Sequence, residues 1–271
     1  MEADQISPSF SNPPLDEVAA SMQFPGLPVK ATDVASFYAL LASDYPKTLD
    51  VMPLPPTFEP FGPGGVPPFA ISTPGTMLPR SWFISENDEH VVQFQTDRLI
   101  VNWRMRPNGD PYPRYPELRR RFTAAHEALC TFCLQKGMPL LAPNQCDLTY
   151  YNKVPLPDGA TWADFGHLLR GMDLSQGPEW HGRFSVGQMT LIRDIPDDGQ
   201  PTFGRLQIDC MPIQIDAGRR AWALNFAVKG RPGQPTFEAV LAFLDSAHTE
   251  IINCFAAITT EAIQAGWGRL T

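Results

Sequence analysis

No apolar run in this sequence approaches the roughly 20 residues that carry a helix across a bilayer. Cationic residues are in deficit: 21 Lys and Arg stand against 29 Asp and Glu, a formal net charge of −8. That balance argues against broad nucleic-acid binding, which needs a basic surface to neutralise phosphates. Cysteines are few and odd in number, five without framework spacing. A reducing, cytoplasmic setting is therefore expected rather than a disulfide scaffold. The opening Met1-Glu-Ala-Asp-Gln5 lacks the basic start and apolar core of a signal peptide. Catalytic signatures are missing too. There is no Gly-x-Ser-x-Gly elbow, and Gly62-Pro-Gly-Gly65 lacks the Lys-Ser/Thr of a phosphate loop. What remains, 43% hydrophobic and 18% charged over 271 residues, suits a folded chain of one large domain or two ordinary ones.

The chain carries one pattern twice: strand, helix, three strands, long helix. Glu17–Gly137 holds one copy and Gln145–Gly266 the other. Each opens with a short strand-like run followed by two prolines, Pro25 and Pro28 in one and Pro155 and Pro157 in the other. Apolar residues at helical spacing follow, Val34, Phe37, Leu40 and Leu41 in one copy, Trp162, Phe165, Leu168 and Leu169 in the other. Thr32 and Thr161 stand where N-caps are wanted, and Asp164 completes a capping box with Thr161. Both copies end in a helix with a related string, Phe122, His126, Leu129, Phe132 and Phe243, His248, Ile252, Phe255. The expectation is an α+β protein in which two such units form a curved antiparallel sheet backed by helices. Its parts are a flexible tail over 1–14, a first unit over 15–144 with a proline-rich insert at 52–79, and a second unit over 145–271. The insert has Phe58, Phe61 and Phe69 among prolines too dense for a helix or central strand. It reads as a surface loop, or as an arm packing its phenylalanines on the fold.

Strand periodicity assigns faces. Leu99, Val101 and Trp103 alternate with Arg98, Ile100, Asn102 and Arg104; Trp222, Leu224, Phe226 and Val228 alternate with Ala223, Asn225, Ala227 and Lys229. The apolar face predicts the seat of the long helices, with Trp103 and Trp222 buried beneath them. The other face is rich in amides. Gln93, Gln95, Asn102, Arg104, Gln207, Asp209 and Asn225 are the candidate binding residues, because amides present donors and acceptors together.

Other candidates are bland by comparison. Cys130-Thr-Phe-Cys133 with His126 and Cys146 has the residue types of a metal or redox site, but thiols on an apolar helix face serve as well for packing. No metal or cofactor is expected. His126 and His248 recur at matching positions and suit a helix interface. Asp194, Asp197 and Asp198 flank a turn. The arginines at 114, 119, 120 and 121 crowd a helix start, where the macrodipole disfavours them. Either an acidic partner or local glutamates would account for them.

The string Gln93-x-x-x-Asp97-Arg98-x-x-x-Asn102-Trp103-Arg104, followed by Tyr112-Pro-Arg-Tyr115, resembles the hallmark of a sporadically distributed bacterial family. The resemblance covers most of residues 15–265, and it implies no particular activity. Patchy distribution is the habit of accessory and defence-related genes. The topology is similar to TATA-binding-protein-like and helix-grip duplications, an analogy of fold alone. The functional expectation is a non-enzymatic binding module, self-associating, with a protein partner or small polar ligand. The alternative is a small-molecule hydrolase or transferase working in a cleft between helices and sheet with His126 or His248.

Overall fold

The computed structural model describes residues 8–55, 78–172, 184–197, 200–215 and 218–271. Their strands form a single antiparallel, open nine-stranded sheet in the order β2-β3-β4-β5-β1-β6-β9-β8-β7. In chain order these are β1 (Leu15–Gln23), β2 (Lys47–Val51), β3 (Arg80–Ile84), β4 (His90–Gln95), β5 (Arg98–Arg104), β6 (Gln145–Pro155), β7 (Met189–Asp197), β8 (Gln200–Ile215) and β9 (Arg219–Gly230). Four helices accompany them: α1 (Ala31–Ala39), α2 (Tyr115–Gln135), α3 (Phe237–Ile258) and α4 (Glu261–Gly266). β1 and β6 pair at the sheet's centre, and the order runs β5-β4-β3-β2 outward on one side and β9-β8-β7 on the other.

Period-two alternation decides which face is covered. Met22, Ala20 and Val18 pair with Leu99, Val101 and Trp103, and Leu148 pairs with Val228. All lie on the helix side and are at most 1% exposed. α2 packs on β5, and α3 packs on β6 and β9. Trp103 and Trp222 are both fully buried. The hairpin between β8 and β9 closes at Gly218, whose φ of +82° is left-handed and easy only for glycine.

Four local expectations change. α1 starts at Ala31, after Lys30, whose N–H donates to the Asp33 carboxylate. β2 is an extra strand on the sheet edge. The run from Thr161 to Leu169 forms only a single 3-10 turn, Phe165–His167, although Thr161 N–H does donate to Asp164. Its backbone is used elsewhere: Arg170 N–H donates to Ile258 O and Thr260 N–H to Leu168 O, tying the segment to the α3–α4 corner. Residues 8–14, expected as loose tail, run along the C-terminus. Ser11 and Asn12 donate to the Gly268 and Trp267 carbonyls, and Phe10 packs edge-on to Phe255 and Trp267. An aromatic ring with a waiting apolar wall orders a segment that polarity alone would leave free. Phe58, Phe61 and Phe69, His181, Asp198, and the turn residues Asp216 and Ala217 lie outside the described residues.

Candidate functional site

The polar face divides in two. On β4 and β5 the amides are buried and engaged by the chain itself. Gln93, Gln95 and Asn102 are 5%, 5% and 3% exposed. Gln93 Nε2 donates to Asn102 Oδ1 at 2.7 Å, and Asn102 Nδ2 donates to Glu17. Burial raises the Glu17 carboxyl above its usual range. Gln95 brackets Leu54, accepting its N–H and donating to its carbonyl, each at 2.8 Å. Arg104 donates to Asp88 O at 3.1 Å and lies over the Trp82 ring. These four therefore act as internal fastenings. A row of amides reads the same in sequence whether it faces water or a crossing segment of its own chain.

On β1, β6, β9 and β8 the same face opens into a trough of about 250 Å³. Register builds it in cross-strand rows. Ser21, Asp147, Lys229, Arg205 and Asp194 stand side by side, and so do Glu17, Tyr151, Asn225, Asp209 and Thr190. Gln23 and Gln145 pair at one end beside Arg98. Gln207, Asp209 and Asn225, the remaining expected binding residues, do line this trough, together with Arg98, Gln145, Asp147, Thr149, Tyr151 and Lys229. Gln207 Nε2 donates to Asp209 Oδ2 at 2.7 Å, which orients both. Burial holds the Asp147 carboxyl above its ordinary range. Gln145 is 2% exposed and Arg98 6%, and among the described residues neither Gln145 Oε1 nor Arg98 Nε has a partner. An unmet buried polar atom costs about 1–3 kcal/mol, and Gln93 Oε1 and Arg104 Nε on the fastened half lack a partner among the described residues as well. Lys229 belongs to the alternation legible along β9, whereas Gln145 and Asp147 lie at the start of β6, where the sequence alone assigned no faces.

Opposite the trough, α2 and α3 meet through their histidines. Each histidine lies eleven residues after the first residue of its own helix, and each stacks on the first residue of the other. His126 lies 3.6 Å from the Phe237 ring, and His248 lies 4.2 Å from the Tyr115 ring. The arginine cluster is largely consumed locally. Arg119 pairs with Asp245, and Arg120 and Arg121 pair with Glu117, whose carboxyl is pulled down to about 2, chiefly by its bond from Arg120. Cys130 Sγ lies 3.4 Å from His126 Nε2. Cys133 is buried, and burial pushes its thiol up to about 11, away from thiolate chemistry. Among the described residues no three His, Cys, Asp or Glu side chains gather as a ligand set. No helix among them is long and apolar enough to cross a membrane.

Burial holds His90, His126 and His248 each down to about 4. Their folded pKa values lie below the unfolded value of about 6.5, so the unfolded chain binds protons first as pH falls. Stability is full above about pH 6.5 and declines towards pH 4, by up to roughly 3 kcal/mol per imidazole once protonation is complete. Urea midpoints should therefore fall between pH 7 and about pH 5, and His126→Gln should flatten that slope. An unchanged slope in the variant would mean that His126 does not titrate with unfolding.

No model of a known protein family matches this chain, and no functionally described protein matches its sequence.

Proposed function

We propose that this protein is a binding module that holds a small polar ligand in the trough across β1, β6, β9 and β8. The observation that carries the reading is Gln145, whose buried side-chain oxygen, at one end of the trough, has no partner among the described residues. Beside it stand Arg98, Asp147 and Lys229, while the amides Gln207 and Asn225 and the carboxylate of Asp209 line the trough further along the strands. Such a lining favours a molecule dense in donors and acceptors with little net charge, a zwitterion or a polyol. At roughly 30 Å³ per water-sized group, the space suits on the order of eight heavy atoms. The described lining residues include no aliphatic hydroxyl except Thr149 and no thiol, and burial moves Tyr151 up to about 12. Hydrogen bonding, rather than nucleophilic attack, is what these groups do well.

The same reading takes the two halves as copies of one unit. Its support is the shared strand order and the reciprocal histidine–aromatic stacking, and a different strand order in either half would remove it. It includes self-association along the edge strand β7, where Ile192 is 59% exposed. It also keeps the bacterial family suggested by the Asp97-Arg98 and Asn102-Trp103-Arg104 segments.

Native mass spectrometry of the full chain, with thermal shifts against free amino acids and simple sugars, tests the reading. The wild type should carry a small adduct or be stabilised by one of these probes, and Gln145→Leu should lose the effect while melting within a few degrees of wild type. An adduct that survives Gln145→Leu, or a wild type that neither carries nor responds to any of these molecules, would sink it. The intact masses also report whether the chain self-associates.

A further inference from the structure

The geometry points to a second ligand site on the opposite face of β6 and β9, built for a small carboxylate with a one-ring apolar body. It is independent of the polar trough. A cavity of about 260 Å³ lies between α2, α3, the sheet and the N-terminal segment. Alternation makes the two sites possible on the same strands: Tyr151 and Asn225 face the trough, while Tyr150 and Phe226 face this cavity. Phe10, Phe226, Phe255 and Ile251 supply an apolar wall. The Phe10 end is closed by residues pinned to the C-terminus, where Leu270 N–H donates to Ser9 O at 2.9 Å.

Charge selects the ligand class. Among the described lining residues there is no Asp or Glu, and Arg114 is the single charged one. Of the four arginines near the start of α2, it alone makes no ion pair among the described residues. Its Nη2 donates to Phe10 O at 3.0 Å, which holds the guanidinium at the rim of the cavity it lines. Its backbone sits at φ +74°, a conformation that costs a non-glycine residue and recurs at ligand sites. An arginine at the mouth of a cavity whose described lining is mostly apolar and holds no acid matches an anionic head on an apolar body.

The polar groups deeper in are neutral donors. Burial keeps His248 near 4, pushes Tyr112 to about 12 and holds Tyr150 well above its usual range. Tyr150 Oη lies 2.7 Å from His248 Nδ1, and Tyr112 Oη lies 3.3 Å from Tyr150 Oη. Whichever tautomer His248 takes, one phenol hydrogen is committed only to that long contact, and a carboxylate oxygen would compete for it. Tyr112 and Arg114 are two residues apart and line the same cavity, so one carboxylate can meet both. At roughly 30 Å³ per water-sized group, the cavity takes on the order of nine heavy atoms, the size of benzoate. The aromatic wall suits a ring through edge and offset contacts.

Calorimetric titration of the full chain with benzoate and with benzyl alcohol, its uncharged counterpart, tests the site. Benzoate should bind with a Kd of roughly 1 mM or tighter. Benzyl alcohol should bind about tenfold more weakly, the value of one charge-assisted hydrogen bond. Arg114→Gln, at an exposed rim position, should bring benzoate down to the alcohol's affinity without altering the alcohol. Ile252→Trp, which fills the cavity, should abolish both, with far-ultraviolet circular dichroism confirming the fold. Should Ile252→Trp fail to fold, displacement of benzoate by hexanoate in wild type replaces it, since both would occupy one cavity. Absence of benzoate binding, equal affinity for the two probes, or benzoate binding that survives the filling variant or resists displacement would overturn the proposal.

Discussion

Trp222→Ala and Trp103→Ala will each lower stability by about 3–5 kcal/mol, the range for deleting a core aromatic. Both indoles are fully buried on the helix face of the sheet, one in each half of the strand order. Their phenylalanine variants should separate them. Trp222 Nε1 donates to Trp162 O at 3.2 Å, and Trp162 Nε1 donates to Ala221 O at 2.8 Å, so the two rings clasp β9 to the segment after β6. Trp222→Phe gives up that donor and leaves a carbonyl unmet, a further cost of about 1–3 kcal/mol. Trp103 packs beside Tyr112 at 5.0 Å, and its own buried Nε1 has no partner among the described residues. Trp103→Phe removes an unmet donor and should cost distinctly less than Trp222→Phe. Urea denaturation of the four variants measures this. Equal costs for the two phenylalanine variants would show that the Trp222–Trp162 clasp contributes nothing.

Gln264→Leu is the second large effect. Gln264 is 1% exposed, yet it sits in a six-residue helix near the C-terminus. Its Nε2 lies 2.7 Å from Ala256 O, 3.0 Å from Thr259 O and 2.8 Å from Thr259 Oγ1, so two hydrogens serve three acceptors. Its Oε1 accepts from Arg269 Nη1 at 2.6 Å. The last carbonyls of any helix lack intrahelical donors. Here one amide serves those of α3 and locks α4 against it. Leucine is close in volume but takes the donor from the Ala256 carbonyl, leaves Thr259 O with its bond from Arg170 Nε alone and strips Arg269 of its acceptor, at about 2–4 kcal/mol in total. At roughly 2–4 °C per kcal/mol for a chain of this size, melting should fall by about 4–16 °C. A drop below about 2 °C would mean that the corner is held by Phe255 and Trp267 instead.

Local pattern made the framework legible. Alternation along Arg98–Arg104 and Arg219–Gly230 separated the apolar from the polar residues, because side chains in a strand must point to opposite sides. Spacing of three and four residues marked α2 and α3, and it placed His126 and His248 on their packed faces. Where the local signal was thin, the reading slipped. Lys47–Val51 alternates weakly and becomes a strand only because β3 offers it an edge. The 161–169 run has a helix's apolar spacing but carries Gly166, and its backbone bonds were claimed by the α3–α4 corner.

The sites belong to the tertiary structure. The sequence contained Gln207, Asp209 and Asn225 as polar strand residues, but their neighbours in the trough, Gln145, Asp147 and Arg98, arrive from β6 and β5 through register. The sequence equally offered Gln93, Gln95 and Asn102, and the fold spent them on one another, on Glu17 and on the chain at Leu54. Tyr112, Tyr150 and His248 are tens of residues apart and meet only where α3 lies on β6. Composition and periodicity by themselves determined that the chain folds into a sheet with one helix-covered face. Which polar groups face the trough and which meet the chain's own crossing segment was decided by non-local pairing, since each is fixed by the strand beside it and not by its neighbours in sequence.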